Sequence, residues 1–351
     1  MAIIGGVSFS EKFFFTKNLT VMLKSGIPIS QVVDTLAIQA KSGAFKKILF
    51  QVSKDVTRGQ SLEKSLRSYP NVFNQFYVSL IKVGEESGTL EDSLVYLVEQ
   101  MEKEHELREK VRSAMLYPSI VLMATGGIGL SLAFFILPQI IGLFESLNVE
   151  LPFTTIILIW VAKFLRDWGL IALPGMLALF IGLFFLVRSR WVKPAWHAFL
   201  LRLPTLGTLL QNISLATLTR NLGIMLKSGL TITSALETSA QVEENLVYQR
   251  DLMKISEEVR RGKSIETALT EGKYKEFPLF MVRMVGVGEK SGNLEENLAY
   301  LGDYFEDEVD TTTRNLATIL EPVLLIGIGA VVAFVALSII SPIYSITGSI
   351  R

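Results

Sequence analysis

The sequence predicts an all-α, polytopic membrane protein: three transmembrane helices carrying two homologous, antiparallel helical bundles on the cytoplasmic side. Three observations lead there. Charge is missing from long blocks: none lies between Ser113 and Phe144 or between Trp168 and Val187, and only Glu321 lies between Leu316 and Ile350. The chain also repeats itself. Lys17-Asn18-Leu19-Thr20-Val21-Met22-Leu23-Lys24-Ser25-Gly26 returns 203 residues later as Arg220-Asn221-Leu222-Gly223-Ile224-Met225-Leu226-Lys227-Ser228-Gly229. Finally, apolar residues in the polar stretches recur at three- and four-residue spacing, as in Leu90, Leu94, Leu97, Val98 and Met101, the periodicity of an amphipathic helix.

The elements follow in chain order. Residues 1–12 lack a basic start and a long apolar core, so no cleavable signal peptide is expected. Residues 1–112 form the first bundle, of five or six short helices. Gly26 ends one helix in a left-handed cap, and Pro28 fits the first turn of the next. Arg58-Gly59 is a second break, with Ser61 as N-cap and Glu63 in the first turn. Ser87-Gly88 is a third, with Thr89 and Asp92 as a capping pair. The helix beyond is charged, with i,i+4 pairs Glu99/Lys103, Glu104/Arg108 and Glu106/Lys110 worth a few tenths of a kcal/mol each. It runs to the membrane, where Pro118 is expected to kink or restart it.

Residues 113–143 form the first span, which holds Pro138; about 20 apolar residues cross a bilayer core. Residues 144–167 form an external loop or interfacial helix, and 168–187 the second span. The second bundle occupies 188–315. Gly229, Gly262, Ser264, Glu266, Gly288 and Gly292 repeat the earlier turns, with the shift growing to 204 after one inserted residue. Residues 316–345 form the third span, from Glu321-Pro322 to Pro342, and 346–351 an external tail. Lys103, Arg108, Lys110 and Arg112 before span one, Arg188, Arg190 and Lys193 after span two, and Arg314 before span three place both bundles in the cytoplasm by the positive-inside rule.

Several function classes are excluded or disfavoured. The chain has no cysteine, which removes disulfides, thiolate metal sites and cysteine nucleophiles. Net charge is zero, so no basic field attracts nucleic acid. Gly262-Lys263-Ser264 resembles the end of a P-loop, but Glu257 stands where its first glycine belongs, and a helix cap is the better reading. His105 and His197 are lone residues without metal-ligand spacing. The clusters Glu85-Glu86, Glu91-Asp92 and Glu295-Glu296 could offer oxygens to calcium, but capping and solvation account for them. The spans lack the ionisable groups of an ion pathway, and Glu321 reads as interfacial. Gly126, Gly127, Gly129, Gly327 and Gly329 thin one side of spans one and three and permit close helix contact. No catalytic, cofactor or metal residue is expected.

The repeated motifs Phe15-Thr16-Lys17-Asn18-Leu19, Ser25-Gly26-Ile27-Pro28, Gly59-Gln60-Ser61-Leu62 and Gly84-Glu85-Glu86-Ser87-Gly88-Thr89-Leu90 occur in the order of a known family. Gly262-Lys263-Ser264-Ile265 and Gly288-Glu289-Lys290-Ser291-Gly292-Asn293-Leu294 are their second copies. Tyr117-Pro118, Leu203-Pro204-Thr205-Leu206-Gly207, Glu321-Pro322 and Pro342 complete the pattern. The chain resembles the inner-membrane platform proteins of type IV pilus and type II secretion machines, including competence pili. The resemblance implies a non-enzymatic scaffold with the motif positions in structural roles. It further implies a hexameric cytoplasmic assembly ATPase, the transmembrane helices of pilin or pseudopilin, other inner-membrane assembly proteins and lipid as partners, and a homo-oligomeric state. A transporter with internal repeats and a membrane-anchored helical adaptor are the competing readings.

Overall fold

A computed structural model describes residues 3–4, 6–131, 153–189 and 192–349. The fold is all-α apart from one hairpin that the sequence pattern did not announce: β1 (Ile3–Ile4) pairs antiparallel with β2 (Val7–Ser8). Two residues per strand carry no alternation for a pattern to register. Fourteen helices follow among the described residues. The first six are α1 (Phe9–Lys24), α2 (Ile29–Gln39), α3 (Gly43–Thr57), α4 (Leu62–Arg67), α5 (Gln75–Ser87) and α6 (Leu90–Ser131). Then come α7 (Phe153–Arg188) and α8 (Lys193–Arg202). The last six are α9 (Leu206–Lys227), α10 (Ile232–Val242), α11 (Leu246–Arg260), α12 (Ile265–Gly272), α13 (Leu279–Ser291) and α14 (Leu294–Ser349).

The repeat is thereby visible helix by helix: α1 to α6 correspond to α9 to α14. The chain divides into two compact units, one of Met1–Glu109 with His197–Asp310, the other of Lys110–Trp196 with Thr311–Arg351. The first unit holds both bundles on one continuous apolar core. In the first copy Phe15, Phe45, Phe73 and Tyr77 pack ring to ring, with Phe15 and Phe45 edge-on at 5.8 Å. In the second, Tyr248 and Phe277 stand where Phe45 and Phe73 do, 5.4 Å apart and again edge-on. Such aromatic pairs add to the stabilisation from burial alone.

Local chemistry ends each helix where the sequence says it should. Ser61 accepts from the Lys64 N–H at 3.2 Å and Ser264 from the Thr267 N–H at 3.0 Å. Gly88 and Gly292 both cap at φ 76°, a left-handed conformation that costs a residue with a Cβ about 1–2 kcal/mol. Pro28 lies one position earlier than expected: it is the N-cap of α2 rather than its first-turn residue. Its fixed φ serves equally there, because the N-cap lies outside the helical region.

Gly84 and Gly288 do something else. A Cβ on Gly84 would lie 2.8 Å from the Leu90 Cα, and one on Gly288 would lie 2.9 Å from the Leu294 Cα. In each copy the penultimate helix crosses the start of the long helix too closely for any side chain. A backbone atom cannot swing aside, so larger residues force the crossing apart.

The long helices are unbroken. α6 has 42 residues and α14 has 56, roughly 63 and 84 Å at about 1.5 Å per residue. Each begins in its bundle and runs through Pro118 or Pro322 in an apolar stretch long enough to cross a membrane, and α14 continues past Pro342. In the second unit α7 is continuous from Phe153 to Arg188. Residues 153–167 thus belong to the same helix as 168–187. The Thr155 hydroxyl donates to the Ser338 carbonyl of α14 at 2.7 Å. Helix also continues to Ser349, through most of the expected tail. Pro138 and the end of the first span lie outside the described residues.

A Gly288→Ala chain should unfold at lower denaturant concentration than the parent by about 1–3 kcal/mol. Gly43→Ala, where the Cβ meets open space and the backbone is helical, should lose nothing. Equal losses for the two in chemical denaturation of the purified protein would refute the close-crossing account.

Candidate functional site: the motif locks and the seam between bundles

The motif residues assemble into two matching locks. In the first bundle both Glu85 carboxylate oxygens accept backbone N–H groups at the start of α4, from Leu62 at 2.6 Å and Glu63 at 2.8 Å. In the second, Glu289 accepts from Ile265 at 2.8 Å and Glu266 at 3.3 Å at the start of α12. The first N–H groups of a helix have no partner within it, and the helix dipole favours a negative charge there. The serine caps one amide; the glutamate takes two more from a distant helix. Glu85, of the cluster Glu85-Glu86, is thus held by backbone amides, as is Glu289. Glu86 pairs instead with Lys82 at 3.7 Å.

A second repeated contact joins the motif cation to the long helix. Lys17 lies 3.1 Å from Glu102, and its counterpart Arg220 lies 2.6 Å from Glu306, the counterpart of Glu102. The first pair is solvent-exposed and the second buried. Arg220 also reaches Asp303 at 3.2 Å. A guanidinium suits the buried position, being less strongly hydrated than an ammonium and forked. Lys103 of the first bundle approaches Glu306 at 3.5 Å, so Lys103 serves the other bundle rather than the expected i,i+4 partner Glu99. Glu104 and Arg108 do pair, at 2.6 Å. Beside them Lys227 sits over the Tyr96 ring, 5.0 Å from its centroid. These contacts, with α5 packed on α10, form the seam between the bundles.

A third equivalence was hidden. The backbone N–H of Ser42 donates to Glu11 at 2.7 Å, and that of its counterpart Asn245 donates to Glu243 at 3.1 Å. One bundle supplies the carboxylate from the first helix, the other from the loop itself. Glu243 also accepts from the Ser214 hydroxyl at 3.1 Å, and Ser214 occupies the position of Glu11. Burial raises the Glu243 carboxyl from 4.5 to about 7, against the lowering effect of its bonds to Asn245 and Ser214.

The remaining tempting residues have structural partners. Lys263 lies 2.6 Å from Glu258 and 2.7 Å from Glu271. The side-chain bond to Glu258 leads in raising its pKa. His197 accepts the Leu246 N–H on Nδ1 at 3.1 Å, and His105 stacks on Phe9 at 5.5 Å. Among the described residues no cluster of His, Asp or Glu could hold a metal ion. The motif positions do not converge on one pocket. Gly26 and Pro28 make the α1–α2 turn, with Gly229 at its counterpart; Gly59, Gly84, Glu85 and Gly88, with Gly262, Gly288, Glu289 and Gly292, build the locks. Pro118 lies within α6, and Glu321, Pro322 and Pro342 lie within α14. Sequence reasoning missed the Lys17–Glu102 and Arg220–Glu306 ion pairs. The available signal was that Lys17 and Arg220, and Glu102 and Glu306, occupy the same places in the repeat.

Tandem helical bundles, each leading into a helix long and apolar enough to cross a membrane, define the class of all-α protein to which the chain belongs. The family model described as "Type II secretion system (T2SS), protein F" matches twice, at residues 15–138 and 218–342. The chain belongs to that family. It is 31% identical to the type IV pilus assembly protein PilC of Myxococcus xanthus over 347 residues, 99% of this chain and 83% of that one. It is 30% identical to the type II secretion system protein F of Pseudomonas aeruginosa over 341 residues, 97% and 84% of the two chains. The PilC of Thermus thermophilus is 31% identical over 349 residues, 98% and 84%.

Glu289→Ala should cost about 2–4 kcal/mol, since two charge-assisted bonds are lost. Hydrogen exchange at the Ile265 and Glu266 amides should accelerate, whereas equal protection in the variant would rule out the lock.

The Glu243 shift has a defined sign. Its folded pKa is raised, so the fold binds the extra proton, and stability falls as pH rises from about 4.5 to about 7. Glu243→Gln should flatten that slope in urea titrations between those pH values, without the loss seen for Glu289→Ala.

Proposed function

We propose that this chain is an inner-membrane platform protein of a type IV pilus or type II secretion machine. In this reading it is a non-enzymatic scaffold that couples a hexameric cytoplasmic assembly ATPase to extraction and polymerisation of pilin or pseudopilin subunits. The observation that carries the reading is that the helix bearing each lock glutamate packs, at Gly84 or Gly288, against the first residue of a long helix that continues into an apolar stretch. The last helix of each bundle and the apolar stretch after it are thus parts of one continuous helix.

Three spans with both bundles cytoplasmic complete the proposal. The distribution of Lys and Arg supports that topology, with 168–187 as the second span and the loop before it and the C-terminus outside. The exposed faces of residues 90–112 and 294–314 are the surfaces offered to the motor. The glycines of spans one and three serve the pilin side. A Cβ at Gly126, Gly127, Gly129, Gly327 or Gly329 meets nothing within 4 Å, which leaves room for a partner helix to approach the backbone. Other inner-membrane assembly proteins and further copies of the chain complete the set of partners.

Deletion of the gene should abolish fibres or secretion while leaving the ATPase's basal hydrolysis unchanged. In detergent, the full chain should retain the ATPase, and reversing Glu99 and Glu106 to lysine should weaken that retention by roughly tenfold, about 1.4 kcal/mol. Normal fibres in the deletion strain would sink the platform reading.

A further inference from the structure

The two bundles meet through different faces. α5 of the first packs on α10 of the second, whereas the repeat-equivalent pair, α13 and α2, makes no comparable contact. A contact of this kind is heterologous and leaves each participating face with an unused counterpart in the other copy. The first bundle contributes its α5–α6 face, whose counterpart is α13–α14. The second contributes its α9–α10 face, whose counterpart is α1–α2.

Exposure changes accordingly. Phe76 on α5 is 5% exposed, and its equivalent Phe280 on α13 is 43% exposed. Gln100 on α6 is 5% exposed, and its equivalent Tyr304 on α14 is 37% exposed. Leu279, Val287 and Tyr300 are exposed on the same two helices, and Arg283 is held beside them by Glu266 at 3.2 Å. A surface rich in exposed aromatic residues with an arginine beside it has the composition of a binding hot spot. On the complementary side Val21 of α1 is 57% exposed and Ile38 of α2 is 61% exposed.

We propose that a second copy of this chain seats the α1–α2 face of its first bundle on the α13–α14 face of this chain's second bundle. The contact between molecules then repeats the one that joins the bundles within a molecule. One cation–aromatic pair corresponds as well. Lys227 covers Tyr96 inside the chain; Lys24 and Tyr300 are their equivalents, and both are exposed. Lys103 meets Glu306, which also pairs with Arg220, inside the chain. Between chains Asp307 stands for Lys103 and Glu102 for Glu306, so that ion pair is not repeated, and the match rests on the apolar and aromatic residues. Repeated head-to-tail, the contact closes a ring or extends a row. This deepens the homo-oligomer of the platform reading by naming its surface.

The chain's lack of cysteine makes the test direct. Full-length protein in native membranes, expressed without its motor, carries either Lys24→Cys with Tyr300→Cys or Tyr96→Cys with Lys227→Cys. Both are treated with a short bis-maleimide. The second pair should link within the chain without a dimer band. The first should give dimers and larger species, which neither single variant gives, and which vanish when Phe280→Glu and Val287→Glu are added. Loss of the internal link in that last variant would mean misfolding, so the 96/227 pair is tested on the same background. Dimers linked through position 24 of both copies, links from position 300 to other proteins only, or no product beside a working internal pair would each overturn the proposal. Failure of the internal pair in the parent would remove its template and overturn it too. Because the motor is absent, the outcome is separable from the platform test.

Discussion

The arrangement depends on one interaction made twice: a carboxylate seated on the first turn of a short helix. α4 has six residues and α12 has eight, too few to be stable in isolation. Their orphaned amides need partners, and the serine beside each can take only one. Glu85 and Glu289 supply the remainder from α5 and α13, so two motifs distant in sequence become one structural object. The helix bearing the glutamate then reverses at Gly88 or Gly292 and crosses the root of α6 or α14 at Gly84 or Gly288. The direction in which the long helix leaves its bundle is set by that sequence of contacts.

Around this shared lock the copies have diverged in ways that follow from their surroundings. The motif cation pairs with the long helix in both, but only Arg220 and Glu306 are buried. A buried ion pair needs further hydrogen-bond partners to offset desolvation, and Glu306 finds a second cation in Lys103 across the seam. Close helix approach helps: Gly302 of α14 lies where a Cβ would touch the Arg220 Cβ at 3.4 Å, whereas Val98 stands at that place in the first bundle. The exchange of Glu11 for Glu243 follows the same logic. The backbone amide that must be satisfied is preserved, and the acid that satisfies it has moved.

Much of this was legible in the chain. Helical period, cap residues and charge-free blocks lead to the all-α architecture because each is a local property. The helix boundaries at Gly26, Gly59 and Gly88 and their counterparts were readable because a left-handed backbone selects glycine over other residues. Glu85 and Glu289 were harder. Glu85 lies in an acidic cluster and Glu289 beside Lys290, so each looks like solvated surface charge, and only their recurrence at one repeat position sets them apart. Lys103 was assigned to Glu99 by helical spacing, yet a buried Glu306 offers more than an exposed neighbour on the same helix. Lys163 and Arg166 interrupt the apolar run before 168 without interrupting the helix from 153 to 188.

The sequence alone determined the repeat, the helical class, the family and the apolar blocks, because these rest on composition and spacing that the chain carries wherever it folds. The tertiary structure decided which glutamate caps which helix, which cation crosses the seam and which faces are left uncovered. Those depend on distances between residues up to some two hundred positions apart. In two nearly equivalent copies, only packing distinguishes the face that is used from the face that remains free.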